Sequence, residues 1–475
     1  MNFAGYCLGM LLLTKLSIRQ RTAYRPPRWT AAETGRQSEH RTVLTFCLGL
    51  LTLALLGFCL ASALNARATF RNDTLSFEYH DCWMWLPHSL DSGGTWFAFW
   101  TYLGLACSFW SIRDWLQGKS NSEERAQWQK TGAALNHSPP AGFLPERLRR
   151  LLWLLALNGA LLSIEAIVQR MEKSPKLLFL VLPRIHQTAE TQFGAYAYRA
   201  NAAQYFNLLW PMCVGFWWTI SRNTGRQSPG RQALLLCTAV MAAAPLVSSS
   251  RAGAAVTLGM LGVSALSVAG YFLGGRFQLG RCGACNVRRG SRRRAPGVGG
   301  LAKDTTAWLC FFVVVVPLVG LGLGWKALGP RLERVRGDFA ARKALWEAAR
   351  PMTRDYPVFG TGPGTFETVS QLYARPAELF WPRQLHNDWL EMRITFGWVG
   401  SVLIVLALVA IGLRCFAPGA GLLGLLIGLA LAGCLAHARL DFPFQVYSIL
   451  FLFVLECAVL FCSKSRHCPA SAQKG

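Results

Sequence analysis

Stretches of about 20 apolar residues recur along the whole chain, and this repeat limits the possible folds more than any other feature of the sequence. Of the 475 residues, 52% are hydrophobic and only 15% are charged, which is fewer charges than a soluble protein of this length carries. Helices satisfy every backbone polar group within one segment, as lipid requires, and the sequence shows no strand-length alternation. The sequence therefore predicts an all-α, polytopic membrane protein.

Ten transmembrane helices account for these apolar stretches, with boundaries good to several residues. We place them near residues 42–64, 95–112, 150–168, 203–221, 232–248, 252–274, 307–326, 396–414, 419–437 and 443–462. An earlier apolar stretch, from Phe3 to Leu16, is short for a span and is either an interfacial helix or an extra span. It lacks the charged start and the small-residue cleavage site of a signal peptide.

The charges of the loops set the orientation of these spans. The net charge is +25, and basic residues concentrate before residue 42, in 113–150, in 221–231, in 276–297 and after 463. With ten spans all five segments fall on one side, which the positive-inside rule makes cytoplasmic. Most of the charge is thereby explained without nucleic acid, for which the chain has no motif.

This topology divides the chain into five parts. Residues 1–41 form a basic cytoplasmic segment that includes the short apolar stretch, 42–326 form an N-terminal transmembrane bundle, and 327–395 form one long extracytoplasmic loop with short helices. Residues 396–462 form the C-terminal transmembrane helices, and 463–475 form a basic cytoplasmic tail.

The 15 cysteines are scattered, mostly within apolar stretches, where cysteine behaves as a small hydrophobic residue. Cys282 and Cys285 form a C-x-x-C pair, but no second pair follows at the spacing of a zinc finger. The sequence therefore predicts no disulfide framework, and it does not favour a metal or redox site at this pair.

Several arginines lie on the outer side, where the topology does not call for positive charge. Arg251 opens a span in "SSSRAGA", Arg199 precedes another in "FGAYAYRANAAQYF", and Arg342, Arg350 and Arg354 lie in the long loop. Taken singly, each is equally an interfacial anchor or part of a solvated helix face. Because arginine recognises phosphate in a bidentate manner, arginines at the membrane edge suit a lipid-linked phosphate or pyrophosphate.

The densest polar segment is "RQLHNDWLEM". His386 can exchange a proton near neutral pH, Asp388 and Glu391 can orient or charge it, and Asn387 can donate hydrogen bonds. The spacing of the acids and the histidine does not place three ligands on one helix face, so a metal site is not favoured. The alternative is that Asn387 or Asp388 caps the next helix.

Two further segments face the same side. In "GTGPGTF", Gly360, Gly362 and Gly364 form either a plain turn or a turn whose amides hold an anion. In "HARLDFPF", the carboxylate of Asp441 lies in a tight outer turn and is expected to pair with one of the arginines.

The order of these motifs resembles that of the O-antigen ligase family, which also includes O-antigen polymerases, protein O-oligosaccharide transferases and exopolysaccharide polymerases. The likeness is clearest from about Phe193 to Leu455. It is carried by "FGAYAYRANAAQYF", "SSSRAGA", "RKALWEAARPMTRDYPVFGTGPGTF", "HNDWLEM" and "LDFPFQVYSILFLFVL". The chain departs from the family where an acidic residue commonly precedes the glycine that is here Gly397, because Thr395 and Phe396 stand there instead.

The resemblance implies a glycosyltransferase of the bacterial inner membrane with its active site facing the periplasm. Such an enzyme takes a glycan from undecaprenyl pyrophosphate and passes it to lipid A-core or another surface glycan, without a metal or other cofactor. By motif match His386 and Arg251 would be catalytic, with Arg199 and Arg342 as further ligands of the donor.

Two other functions stay open at the level of the sequence. A polymerase of the same family would use the same donor and differ only in its acceptor. A polysaccharide transporter or flippase would show internal repeats with broken helices at mid-membrane, and no clear repeat is visible between the halves of the chain.

Overall fold

A computed structural model describes residues 2–22, 36–120, 122–123, 144–184, 187–223, 229–281, 298–373, 383–416 and 421–462. Helices dominate these residues. They are α1 (Asn2–Thr22), α2 (Arg36–Leu64), α3 (Ser92–Gln117), α4 (Glu146–Met171), α5 (Arg199–Asn223), α6 (Pro229–Val247), α7 (Arg251–Arg281), α8 (Val298–Glu333), α9 (Val335–Asp355), α10 (Phe366–Val369), α11 (Asp388–Gly412), α12 (Leu422–His437) and α13 (Tyr447–Cys462). The Cys282–Cys285 pair and the basic tail lie outside the described residues.

All ten stretches predicted as spans lie on helices, so their helical character is confirmed. Within the described part of the chain, four helices are both long and apolar enough to cross a membrane: Thr42–Leu64, Glu146–Met171, Pro229–Val247 and Asp388–Cys415. Four shorter apolar helices accompany them, at Arg251–Leu266, Val314–Lys326, Leu422–His437 and Tyr447–Cys462. A total of ten crossings stays a prediction.

A two-stranded antiparallel sheet corrects the all-α expectation. β1 (Ala68–Arg71) pairs with β2 (Ser76–Tyr79), so that Ala68 lies opposite Tyr79. The rings of Phe70 and Phe77 face each other across the strands at 5.1 Å between centroids. Strands of four residues are too short for a period of two to stand out in the sequence, and cross-strand aromatic pairs stabilise such a hairpin.

The chain divides into two compact units. Unit 1 comprises residues 1–150, 334–420 and 435–475, and unit 2 comprises 151–333 and 421–434. The five-part division by predicted topology is a separate matter, and it stays a prediction.

In unit 1, α1 packs along α3 in the same direction. Asn2 Nδ2 donates to Thr101 Oγ1 at 3.2 Å near the start of α1, and Lys15 Nζ lies 2.6 Å from Asp114 Oδ2 further along. A Cβ atom added to Gly5 would lie 2.4 Å from the carbonyl oxygen of Gly104, so glycine permits this close approach. The first apolar stretch is therefore a helix of 21 residues docked on α3.

The long segment predicted as a loop does contain helices, namely α9 and α10. Ala349 and Met352 of α9 are buried with Phe366, Leu385 and Ile394 in one apolar cluster, and Leu345 and Trp346 pack against it. Helical spacing in the sequence also places Leu332 and Phe339 on this apolar face, but both are about half exposed. This cluster fixes α9 against α11 and the segment before it.

Unit 2 has its own core, built on α4 to α8. Its largest buried side chains include Trp210, Phe216, Met241 and Leu246. Gly159 of α4 packs against Met241 of α6, and Gly324 of α8 packs against the backbone of Leu246. Small residues at these crossings bring the helices close together, as is typical of membrane helices.

Candidate active site

A histidine–aspartate pair forms the centre of the candidate site in unit 1. His386 Nδ1 lies 3.0 Å from Asp441 Oδ1, and the Phe442 ring meets the imidazole edge-on at 4.7 Å between centroids. The side chain of Asp441 is 2% exposed, whereas that of His386 is 31% exposed. Because Asp441 and Phe442 fix the ring, the Nε2 atom is directed away from the carboxylate.

Arg342 of α9 completes a charged trio. Its Nη2 atom lies 3.6 Å from Asp441 Oδ2, and its Nη1 atom donates to the carbonyl oxygen of Leu440. The expected pairing of Asp441 with an arginine is thus confirmed. Burial alone would raise the pKa of Asp441, but the hydrogen bond from His386 and the positive charges of His437 and Arg342 outweigh it and hold the pKa below its usual value.

His386 occupies an unusual backbone conformation, with φ of 55°. Left-handed backbone is uncommon for residues other than glycine, although asparagine, aspartate and histidine adopt it more often than most residues do. Next in the chain, Asn387 begins α11, and its side-chain oxygen accepts from the Leu390 amide at 3.1 Å. The capping interpretation of Asn387 is therefore confirmed.

Asp388 connects the start of α11 to the segment that carries Asp441. Its amide donates to the carbonyl oxygen of Ala438 at 2.9 Å, and its Oδ2 accepts from the Phe444 amide at 2.8 Å. Gln445 Nε2 lies 3.4 Å from Oδ1. With a relative exposure of 6%, Asp388 fixes the segment on both sides of Asp441, through its amide before it and through its carboxylate after it.

Glu391 fixes the backbone directly before His386. Its Oε2 atom accepts from the buried amide of Leu385 at 3.0 Å. The sequence suggested that Asp388 and Glu391 can orient or charge His386, and these roles stay predictions. The structure shows a contact of Nδ1 with Asp441, 55 residues further along. A role of Asp388, Glu391 and Asn387 in binding substrate stays a prediction.

The glycine-rich turn packs against a break in α11. Gly397 has φ of 59°, which interrupts the helix, and the amides of Thr361 and Gly362 donate to the carbonyl oxygens of Ile394 and Thr395 at 2.9 and 3.0 Å. Gly360, Gly362 and Gly364 all have positive φ, between 75° and 107°, which glycine adopts without strain. Two amides of the turn are thus used within the fold, and anion binding by the three glycines stays a prediction.

Unit 2 contains a separate group of arginines. Arg251 begins α7, and its Nη1 atom donates to the carbonyl oxygen of Arg331 at 2.8 Å. Arg199 begins α5, and its Nη1 atom donates to the carbonyl oxygen of Glu190 at 2.9 Å. The Nη2 atom of Arg331 lies 3.4 Å from the Glu190 carboxylate.

Arg170 belongs to the same group, and sequence reasoning missed both it and Arg331. Its guanidinium donates to the carbonyl oxygens of Ala189, Gln192 and Ser248, and it lies close enough to Arg199 and Arg331 for their charges to interact. Ser248 begins the polar triplet before Arg251, so Arg170 anchors that triplet. The available signal was an arginine that directly follows a predicted span on the outer side.

The predicted site residues thus divide between the two units. His386, Asn387, Asp388, Glu391, Asp441, Arg342 and the three glycines lie in unit 1, and Arg251 and Arg199 lie in unit 2. Among the described residues, no three His, Cys, Asp or Glu side chains are grouped so as to hold a metal ion.

Comparison with known proteins gives one result. Residues 236–405 match the family model described as O-antigen ligase, a range that includes Arg251, Arg342, His386 and the glycine-rich turn but neither Arg199 nor Asp441. No curated protein matches the chain. The resemblance to the O-antigen ligase family is thereby confirmed, and the family's activity is in general that of a ligase or polymerase.

Proposed function

We propose that this member of the O-antigen ligase family transfers a glycan from undecaprenyl pyrophosphate to lipid A-core or another surface glycan, at the periplasmic face of a bacterial inner membrane. The observation that carries the proposal is the buried Asp441 carboxylate bonded to His386 Nδ1 beside Arg342. Such a pair is an arrangement for moving a proton, which glycan transfer to a hydroxyl requires.

In the proposed reaction His386 acts as the general base. Asp441 accepts from Nδ1–H and so leaves Nε2 unprotonated and able to take the proton of the acceptor hydroxyl. The acceptor oxygen then attacks C1 of the donor sugar, and the bond between C1 and the pyrophosphate oxygen breaks. The electron pair leaves with the pyrophosphate, while Asp441 stabilises the imidazolium that forms.

The alternative role for His386 is to bind the pyrophosphate as a cation. The Asp441 contact favours the base instead, because a buried carboxylate both selects the tautomer and stabilises the proton once it has been taken up. In this mechanism Arg342 has two functions: it balances the charge of Asp441, and it attracts the pyrophosphate of the donor.

Arg251 and Arg199 are proposed as ligands of the pyrophosphate. Developing negative charge on the leaving group is stabilised by fixed cations, and each arginine stands at the first residue of a helix, where backbone amides also favour anions. For these two residues the proposal is supported by the sequence motifs and by their positions at helix starts.

A transfer assay tests the proposal. Purified protein in liposomes receives undecaprenyl-pyrophosphate oligosaccharide, with and without lipid A-core, and products are resolved by size. We expect an acceptor-dependent product in the wild type and a loss of about a thousandfold in His386→Ala, because a general base contributes 10²–10⁴-fold. His80→Ala, which alters an exposed histidine bonded to Thr69, is the matched control.

The other outcomes identify the competing functions. A ladder of products without added acceptor would show a polymerase. Intact donor that appears on the opposite side of the liposome membrane would show a flippase. Full activity of a well-expressed His386→Ala variant would remove the proposed mechanism.

A further inference from the structure

One asparagine in the buried part of α5 takes no part in the proposed reaction. Asn207 is fully buried, and its Nδ2 atom donates to the carbonyl oxygen of Gly253 on α7 at 3.1 Å. Its Oδ1 atom accepts from the indole of Trp210 at 3.1 Å and from the hydroxyl of Thr257, also on α7, at 2.7 Å. A polar side chain within a predicted span is costly, and two of its three partners belong to another helix.

The neighbours of Asn207 fix the direction of its amide. The indole of Trp210 can only donate, and the carbonyl of Gly253 can only accept. A reversed amide would place two donors together and two acceptors together. Thr257 Oγ1 also lies 2.8 Å from the Gly253 carbonyl oxygen, so its one proton is shared between that oxygen and Asn207 Oδ1. All three bonds of the amide are therefore made in one alignment of α5 and α7.

Small residues let α5 and α7 approach closely beside this asparagine. A Cβ atom added to Gly253 would lie 2.4 Å from the Cβ atom of Ala203, so the two helices touch there. One turn later Asn207 contacts Thr257. Both contacts join residues 50 apart in the chain, which means that α5 and α7 run parallel and keep one register over this turn.

The register sets the relative height of the two arginines proposed to bind the pyrophosphate. Arg199 begins α5, and Arg251 begins α7. With an offset of 50 residues, Arg251 lies level with Asn201, which is about 3 Å from Arg199 along the helix direction at 1.5 Å per residue. Two guanidinium groups and the positive ends of two helix dipoles thus lie side by side. A slip of one turn would shift the arginines by about 5 Å relative to each other.

We propose that Asn207 is a positioning residue for the lipid-linked donor, because it fixes the register of α5 and α7 and thereby the spacing of Arg199 and Arg251. The inference rests on the proposed function for the role of these two arginines. A single buried asparagine also fixes the register of helices in coiled coils. Because Asn207 is buried between the helices, its effect reaches the donor through the arginines.

Two substitutions remove the contact to different extents. Asn207→Leu removes all three hydrogen bonds and leaves an apolar side chain, whereas Thr257→Val keeps the shape of the side chain and removes only its hydroxyl. Thr238→Val is the matched control, because Thr238 on α6 is equally buried and its hydroxyl bonds a carbonyl of its own helix at 2.6 Å. Met241→Ala is a second control, which opens a cavity at the contact of α4 with α6 and lowers stability.

The probe is inorganic pyrophosphate, whose binding requires no glycan transfer. Thermal-shift titration in nanodiscs gives its dissociation constant for each variant, and the transfer assay gives kcat and the KM for the donor. We expect the dissociation constant and the KM to rise about tenfold in Asn207→Leu and about threefold in Thr257→Val, with kcat changed less than about twofold. The double variant should bind as Asn207→Leu alone does, because both changes break the same contact.

The controls separate positioning from stability. Thr238→Val and Met241→Ala should bind pyrophosphate as the wild type does, although Met241→Ala unfolds at a lower temperature. Equal weakening in Met241→Ala would mean that any loss of stability impairs binding, and the positioning role would fall. Unchanged binding in a folded Asn207→Leu variant would also overturn it. If Asn207→Leu does not fold, Thr257→Val compared with Thr238→Val gives the answer.

Failure of this inference is distinct from failure of the proposed function. If pyrophosphate binding changes as expected while the wild type transfers no glycan, the role of Asn207 stands and the proposed reaction falls. If the wild type transfers glycan while every variant binds pyrophosphate equally well, the reaction stands and the role of Asn207 falls.

Discussion

The two units hold their charged groups in different ways. In unit 1 the His386 and Arg342 side chains both contact the Asp441 carboxylate, so that charge is balanced within the group. In unit 2 Arg251 and Arg170 donate to carbonyl oxygens. A carbonyl fixes a guanidinium without cancelling its charge, and Glu190 beside Arg331 is one carboxylate among four arginines. The first group therefore suits proton transfer, and the second suits attraction of an anion.

After His386→Ala, the largest effect should come from Asp441→Asn. The neutral amide cannot stabilise an imidazolium, so we expect kcat to fall about 100-fold or more while the KM for the donor changes about threefold at most. Steady-state transfer kinetics measure this. The control is Asp355→Asn, which alters an acid bonded to Tyr373 on the surface and should behave as the wild type. A rise in KM as large as the fall in kcat would instead mean that Asp441 binds the donor.

Arg251→Ala should give the opposite pattern. If the arginines of unit 2 attract the pyrophosphate, the KM for the donor should rise about tenfold, which corresponds to the loss of one charge-assisted contact. Arg251→Lys should recover part of this loss, and the exposed Arg336→Ala should show none. Donor titrations at two salt concentrations measure the KM. A fall in kcat with an unchanged KM would contradict the assignment of anion binding to unit 2.

Glu391 separates positioning from substrate binding. In Glu391→Gln the amide oxygen still accepts from Leu385, so we expect activity to fall less than threefold. Glu391→Ala leaves a buried amide unpaired at a cost of about 1–3 kcal/mol, so thermal stability and kcat should both fall. A Gln variant as inactive as the Ala variant would mean that the carboxylate charge acts on the substrate.

The smallest effect should be on stability at acid pH. Burial alone would raise the pKa of Asp441, but the hydrogen bond from His386 and the charges of His437 and Arg342 lower it in the folded protein. The stabilisation is therefore present above the unfolded value of about 3.9 and is lost as the pH falls through the folded pKa. The difference in unfolding free energy between wild type and Asp441→Asn should narrow below about pH 4. Denaturant unfolding at several pH values measures it, and a widening difference would contradict this sign.

The sequence predicted the helices because the length of an apolar stretch is a local property. It predicted the capping role of Asn387 because a helix cap also depends only on neighbouring residues. It singled out His386, Asp441 and Arg342 but not the contact between the first two, which joins segments 55 residues apart. Arg170 and Arg331 were missed because Arg170 contacts carbonyl oxygens and Arg331 contacts Glu190, 141 residues earlier. No local residue pattern reveals either kind of contact. The hairpin of residues 68–79 was missed because its strands are too short to show a period.

The backbone of His386 has a consequence for stability. Glycine adopts positive φ more readily than histidine, and asparagine adopts it more readily than alanine. We expect His386→Asn and His386→Gly to be more stable than His386→Ala and yet inactive. If these variants behave as expected, this histidine contributes more to the chemistry than to the stability of the fold.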